Sequence, residues 1–238
     1  MHIYPDHFHC YGCGAHGDHV DWLMRTEDLS RDEAEHVLDT WNGPVVKRAP
    51  ARDDDDAERT ARALQLFNDA EPFFGTLAAR YLADVRGVDL EALPASIGDA
   101  LRFNPCCPFG PGTVHPCLLA LMRDPISDAP TGIQRIALTT DAQKIDRRML
   151  GRAGVVKLWP AGERLVIAEG LETTLAAATR LPYRGAPLQP AWAALSSGGL
   201  AMFPVIAGVE RLILLADHDH NGAGQAAADV CMQRWEQA

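Results

Sequence analysis

From residue 165 to residue 235, short apolar runs and amphipathic stretches take turns, and this alternation restricts the fold more than any other feature of the chain. Residues 165–168 read as a strand, 171–179 as a helix, 192–195 as a strand, 200–206 as a helical turn, 212–216 as a strand and 223–235 as a helix. Strand and helix repeating at this spacing predict a parallel sheet with helices on its faces. In such a sheet the functional groups gather at the carboxyl ends of the strands, where the loops converge. Glu169-Gly170 follows the first run directly, Ser196-Ser197-Gly198-Gly199 follows the second, and Asp217-His218-Asp219-His220-Asn221-Gly222 follows the third. Three carboxylates, Glu169, Asp217 and Asp219, are therefore expected to converge from two strand ends.

Each of these carboxylates stands next to apolar residues, where an unpaired anion is costly, so a compensating cation is required unless the groups protonate. Oxygen donors of this kind match the hard ions Mg²⁺ or Mn²⁺. Asn221-Gly222-Ala223-Gly224 then supplies a turn and the start of a helix, whose terminal amides favour phosphate. Glu172 has two readings, a second acidic group at the site or a first-turn residue complementing the helix dipole.

The runs Val166-Ile167-Ala168-Glu169-Gly170 and Leu214-Leu215-Ala216-Asp217-His218-Asp219-His220-Asn221-Gly222-Ala223-Gly224 resemble the Toprim domain of bacterial primases, topoisomerases, certain nucleases and recombination proteins. The resemblance implies a Toprim Rossmann-like parallel sheet with flanking helices. It also implies that Glu169, Asp217 and Asp219 bind the catalytic metals and assist proton transfer.

At the other end, Cys10-Tyr11-Gly12-Cys13-Gly14 is a Cys-x-x-Cys knuckle whose two thiolates can share a Zn²⁺, an ion that wants four ligands. With Val20-Asp21-Trp22-Leu23 after it, the segment resembles the second half of the Cys-His-Cys-Cys finger of bacterial and phage primases. That pattern requires a Cys-x-x-His roughly twenty residues upstream, where only nine residues stand, so Cys10 and Cys13 form an incomplete site. His2, His7, His9 and His16 are the available substitutes. Apolar residues at helical spacing from Val20 to Trp41, with Ser30 and Glu33 as a capping box, predict two short helices broken near Leu29.

The intervening segments complete the division into a partial finger with its helices (1–41), a linker ending in four aspartates (42–56), a small α+β lobe (57–160) and the catalytic domain (161–238). In the lobe, two helices separated near Pro72 precede β-like runs at 118–122, 132–138 and 155–158. Arg102-Phe103-Asn104-Pro105-Cys106-Cys107-Pro108-Phe109-Gly110, with Arg135, Lys144, Arg147 and Arg148, resembles the primase-like lobe that precedes Toprim domains in mobile-element proteins. These four basic residues are candidates for contacting a template strand or nucleotide triphosphate, arginine being suited to bidentate phosphate contact. Their alternative is pairing with Asp141 and Asp146 at the surface.

A net charge of −10 argues against a protein that merely coats nucleic acid, and leaves room for an enzyme with metal-binding carboxylates and a local basic strip. Six cysteines in 238 residues do not make a disulfide framework. Cys106, Cys107, Cys117 and Cys231 are expected to pack in the core. With no apolar run long enough for a membrane span and no signal peptide, the expected location is the cytoplasm. The resemblance implies a DNA primase making RNA primers on single-stranded DNA from ribonucleoside triphosphates. A helicase partner would come from another chain, since no phosphate-binding Gly-x-x-x-x-Gly-Lys motif is present. The alternatives are a Toprim-type nuclease and a non-catalytic nucleic-acid-binding module.

Overall fold

The structure, a computed structural model, describes residues 2–3, 7–9, 15–41, 53–216 and 222–237. Met1–Pro50 and Ala51–Ala238 are separate compact units. In the first, β1 (His2–Ile3), β2 (Phe8–His9) and β3 (His16–Gly17) form an antiparallel sheet, followed by α1 (His19–Thr26) and α2 (Arg31–Asp39). Both helices begin in capping boxes. Asp18 and Asp21 each accept the other's backbone N–H, at 2.9 and 3.1 Å, and Ser30 and Glu33 repeat the arrangement as the sequence predicts. Phe8 is buried and meets Trp22 edge to face, 5.1 Å between ring centres.

The larger unit opens with α3 (Asp53–Asn68), which starts inside the stretch expected to be linker. Its aspartates occupy the helix amino end, where the peptide dipole favours anions. After β4 (Glu71–Pro72), α4 (Leu77–Arg80) runs directly into a π-helical turn at Tyr81–Val85. Then come β5 (Leu101–Gly110), β6 (Thr113–Arg123), β7 (Pro130–Leu138) and β8 (Lys144–Gly151), which with β4 make an antiparallel sheet ordered β4-β5-β6-β7-β8. Strands β5 and β8 do not stand out in the sequence, β5 because two prolines interrupt it and β8 because it is a charged edge.

Strand β9 (Val156–Lys157) leads to β10 (Arg164–Ala168), α5 (Leu171–Arg180), the two-residue strands β11 (Pro182–Tyr183) and β12 (Ala186–Pro187), β13 (Ala191–Ala193), α6 (Ser197–Ala201), β14 (Arg211–Leu215) and α7 (Ala223–Glu236). The order β14-β10-β13-β9 makes β10 a central strand, parallel to β13 and β14, with β9 antiparallel at one edge. This is the expected α/β class. Alternation along β10 divides two cores: Val166 faces Leu171, Leu175, Ala191 and Ala193, while Leu165 and Ile167 face Trp192, Leu200, Phe203 and Ala228.

The first of those cores continues into the antiparallel sheet through Leu118, Ala120, Met122, Ile136 and Leu138, together with Phe73, Tyr81 and Leu82. On the other face of that sheet Ala63 and Phe67 of α3 pack against Cys107, Cys117, Leu119 and Ile133. Helix α5 is thus enclosed between two sheets, and the larger unit is a continuous stack of helix and sheet layers. Among the described residues no helix is long and apolar enough to cross a membrane.

Candidate active site at the carboxyl ends of the parallel strands

Strand β10 ends at Ala168, whose register partner on β14 is Leu215 and on β13 Ala193. Glu169 is therefore the first residue beyond the central strand, and the strand leading to Asp217 stops beside it on the same rim. The chain passes from β10 to β13 on one side through α5, then back across β10 to β14 through α6. Because α5 lies on one face of the sheet and α6 and α7 on the other, the strand order switches direction between β10 and β14. An open α/β sheet parts at such a point to leave a crevice for ligand, and Glu169, which is half-buried, stands at its edge. Asp217 and Asp219 lie outside the described residues, as do His218 and His220. Beyond them Gly222 takes φ 68°, a left-handed conformation suited to glycine, and leads into α7.

The second wall of the rim comes from β8. Its pairing with β7 carries one extra residue, since Leu138 pairs with Lys144 and Ala137 with Asp146, which leaves Ile145 as a bulge. Side chains paired across a sheet share a face, so Lys144 sides with Leu138 and Arg147 with Ile136, toward the parallel sheet. Asp146 and Arg148 side with Ala137 and Arg135, toward α3. The contacts agree. Lys144 Nζ donates to Glu172 Oε1 at 2.7 Å, and an Arg147 guanidinium nitrogen reaches the Leu195 carbonyl, 3.5 Å away in the loop after β13. Arg148 instead donates to the Phe109 carbonyl at 3.0 Å and pairs with Asp146.

The four basic residues grouped from the sequence thus divide into two sets. Arg135 does not belong to an exposed strip at all: it is buried, donates to the Pro108 carbonyl and lies over the Phe109 ring. Its register partners are Leu119 and Arg148, on the sheet face that α3 covers. Of the four, Arg147 and Lys144 stand at the strand-end rim.

Glu172 was open to two readings; it stands in the first turn of α5, as the dipole reading has it, and is also paired with a lysine. Its side chain is 5% exposed, and the single oxygen Oε1 accepts from both Lys144 Nζ and the Tyr81 hydroxyl, the latter at 2.9 Å. Burial pushes its carboxyl upward, but the hydrogen bond and charge of Lys144 outweigh this and hold it below the ordinary glutamate value. Burial foremost, and then the Glu172 charge, raises the Tyr81 phenol far above its usual range, so it remains a neutral donor. The Lys144 ammonium and the Tyr81 hydroxyl both engage the same oxygen of this carboxylate. The one signal in the sequence is a single acid in the otherwise uncharged run Leu171-Glu172-Thr173-Thr174-Leu175-Ala176-Ala177-Ala178, since a charge in a helix enclosed on both sides needs a partner.

Residues 164–238 match the family model described as the Toprim domain. The C-terminal third is a Toprim domain. Residues 57–157 match a second family, described as a domain of unknown function, DUF7146. A DNA primase of Chlamydia trachomatis is 35% identical over 75 residues, which are 30% of this chain and 12% of that primase. A DNA primase of Chlamydia muridarum is 50% identical over 34 residues, 13% of this chain and 6% of the primase. The chain therefore spans far less than two thirds of the curated relatives it matches, and its likeness is that of a primase-like Toprim protein.

In this Toprim domain the loop between β13 and α6 is held tightly. Leu195, buried, adopts φ 67°, which a branched side chain rarely takes. Ser196 caps α6 by accepting from Gly199 N–H at 3.0 Å. Any side chain at Gly199 would collide with the Ala194 carbonyl oxygen. A groove of about 430 Å³ opens elsewhere in the larger unit, between Trp159, Trp192, Ile126 and Lys157 at the side from which β10 starts.

Cys107, Cys117 and Cys231 are buried as expected of packing residues, whereas Cys106 is exposed. Cys10 and Cys13 lie outside the described residues. Backbone register pairs His2 with His9 and His9 with His16 across β1 to β3, on the strands flanking that knuckle. Among the described residues no three His, Cys, Asp or Glu side chains gather to hold an ion.

Proposed function

We propose that the chain is a primase-like nucleotidyltransferase that makes RNA primers on single-stranded DNA, with Glu169, Asp217 and Asp219 holding Mg²⁺ or Mn²⁺ at the strand-end crevice. The observation that carries this reading is the parallel register of Ala168 with Leu215, which brings the ends of the two acid-bearing strands together at the switch point of the sheet. The donor set fits such an ion, being carboxylate oxygens. When bound, the metal would lower the pKa of the attacking 3′-hydroxyl and offset charge on the departing pyrophosphate.

The chain's own groups would position the reactants. Arg147 stands exposed beside the Leu195 carbonyl and is free to swing a guanidinium fork onto a triphosphate or template phosphate. Lys144 presents a second cation nearby. At the other end of the chain, Cys10 and Cys13 would give two thiolates to a zinc, a reading supported by the row of histidines in register at positions 2, 9 and 16. A separate replicative helicase and a cytoplasmic location accompany this reading.

The test is primer synthesis from ribonucleoside triphosphates on single-stranded DNA with Mg²⁺ or Mn²⁺. Glu169→Ala and Asp217→Ala should each lower product formation by more than about 100-fold, since each removes a group that would contact the ion directly. Breakdown of the template, lost in the same variants, would identify a nuclease. Wild-type protein with neither activity would point to a non-catalytic nucleic-acid-binding module.

A further inference from the structure

We propose that Glu172 is a positioning residue of the strand-end site: it ligates no cation, and it fixes the Lys144 ammonium at the rim where a triphosphate would dock. The inference rests on the reading of that rim as a nucleotide site and goes on to assign how one of its cations is held. Three segments distant in the chain meet at one oxygen: the π-helical turn supplies Tyr81, the edge strand β8 supplies Lys144, and the first turn of α5 supplies the carboxylate. The anion is sealed while its partner is not, with side-chain exposures of 5% for Glu172 and 35% for Lys144. The carboxylate therefore acts from beneath, leaving the outer side of the ammonium open to solvent.

A flexible lysine loses much of its side-chain freedom on binding a phosphate, and prior anchoring lowers that cost. Tyr81 completes the anchor. Its hydroxyl is a second donor to the same oxygen, and with the phenol fully buried it limits the rotamers open to Glu172. Glu172 lies three positions after Glu169, so the anchor also fixes the first turn of the helix that leaves the strand end. The bulge at Ile145 places Lys144 and Arg147 on the same face of β8, and the two cations reach the rim at separate strand ends, one over α5 and the other over the loop after β13.

The experiment measures binding without turnover. Mn²⁺ stoichiometry is read by electron paramagnetic resonance and Mg²⁺-ATP affinity by calorimetry, for wild type, Glu172→Gln, Lys144→Met and the double variant. Positioning predicts unchanged Mn²⁺ stoichiometry in all four proteins. It also predicts Mg²⁺-ATP binding weakened about tenfold in either single variant and no further in the double one, because the two side chains act as a unit. Loss of a bound Mn²⁺ in Glu172→Gln would make Glu172 a ligand and overturn the proposal, as would additive losses or ATP affinity equal to wild type. If a single variant does not fold, the double variant, which buries no unpaired charge, carries the same expectation and the same refutation. Wild-type protein that binds neither Mn²⁺ nor Mg²⁺-ATP would refute the strand-end site itself, a result distinct from a wild type that binds both while the variants do not differ.

Discussion

Lys144 is one-third open to water, yet the carboxylate it meets is sealed, so the two partners carry unequal stakes in their contact. Removing the lysine strands an anion inside the protein, whereas removing the acid only frees a surface amine. Lys144→Met should therefore cost about 2 kcal/mol at neutral pH, below the range for a fully buried pair because water screens the ammonium. The loss should depend on pH with a definite sign. In wild type the folded carboxyl sits below its ordinary value of 4.5, so its contribution is present above that pH and fades as pH falls through the lower folded value. Without the ammonium, burial raises the same carboxyl, and the variant weakens as pH rises instead. Urea denaturation should show the gap between the two proteins widest near neutrality and narrowing toward about pH 4. A constant gap would mean that the ion pair is not its cause. Of these residues the sequence exposes Glu169 plainly, through its place after an apolar run, and hides Glu172. The partners of Glu172 lie 28 and 91 positions away, and no local pattern encodes them.

At the level of elements, the parallel strands and their helices follow from apolar periodicity because each strand is a short apolar run set off from the amphipathic helix that follows it. Strands β5 and β8 do not follow from it. β5 carries Pro105 and Pro108 at its irregularities, and β8 sits at a sheet edge with charged side chains on both faces, so neither shows the alternation that marks a half-buried strand. The beginning of α3 was likewise obscured by aspartates, which read as a solvated run but suit a helix amino terminus. The loop joining β13 to α6 offers a test of how firmly the rim is built. Gly199→Ala pushes a methyl group against the Ala194 carbonyl, a backbone atom that cannot move aside like a side chain. Destabilisation of about 1–3 kcal/mol is expected from overpacking, measured as a lowered denaturation midpoint with unchanged slope. A midpoint equal to wild type would show that the loop yields.

At the scale of the molecule, the Toprim sheet and the antiparallel lobe are not separable bodies. Val166, Leu171, Leu175 and Ala191 of the former share one core with Leu118, Met122, Ile136 and Leu138 of the latter. A fragment limited to residues 161–238 would expose that apolar face, and it is expected to give a broad, non-cooperative urea transition by circular dichroism. Residues 51–238 should give a sharp transition that coincides with tryptophan fluorescence. A sharp transition in the short fragment would contradict the shared core. Such interlocking was not legible from the chain, where the change of texture near residue 160 suggests a boundary; apolar patterning reveals which residues face inward but not whose interior they enter. A straight strand can send only every second side chain to a given neighbour, so two cations three places apart would ordinarily part company. Ile145, by standing outside the pairing, corrects the parity, and related chains would therefore be expected to guard the spacing between their amine and guanidinium more closely than the identity of the residue between them.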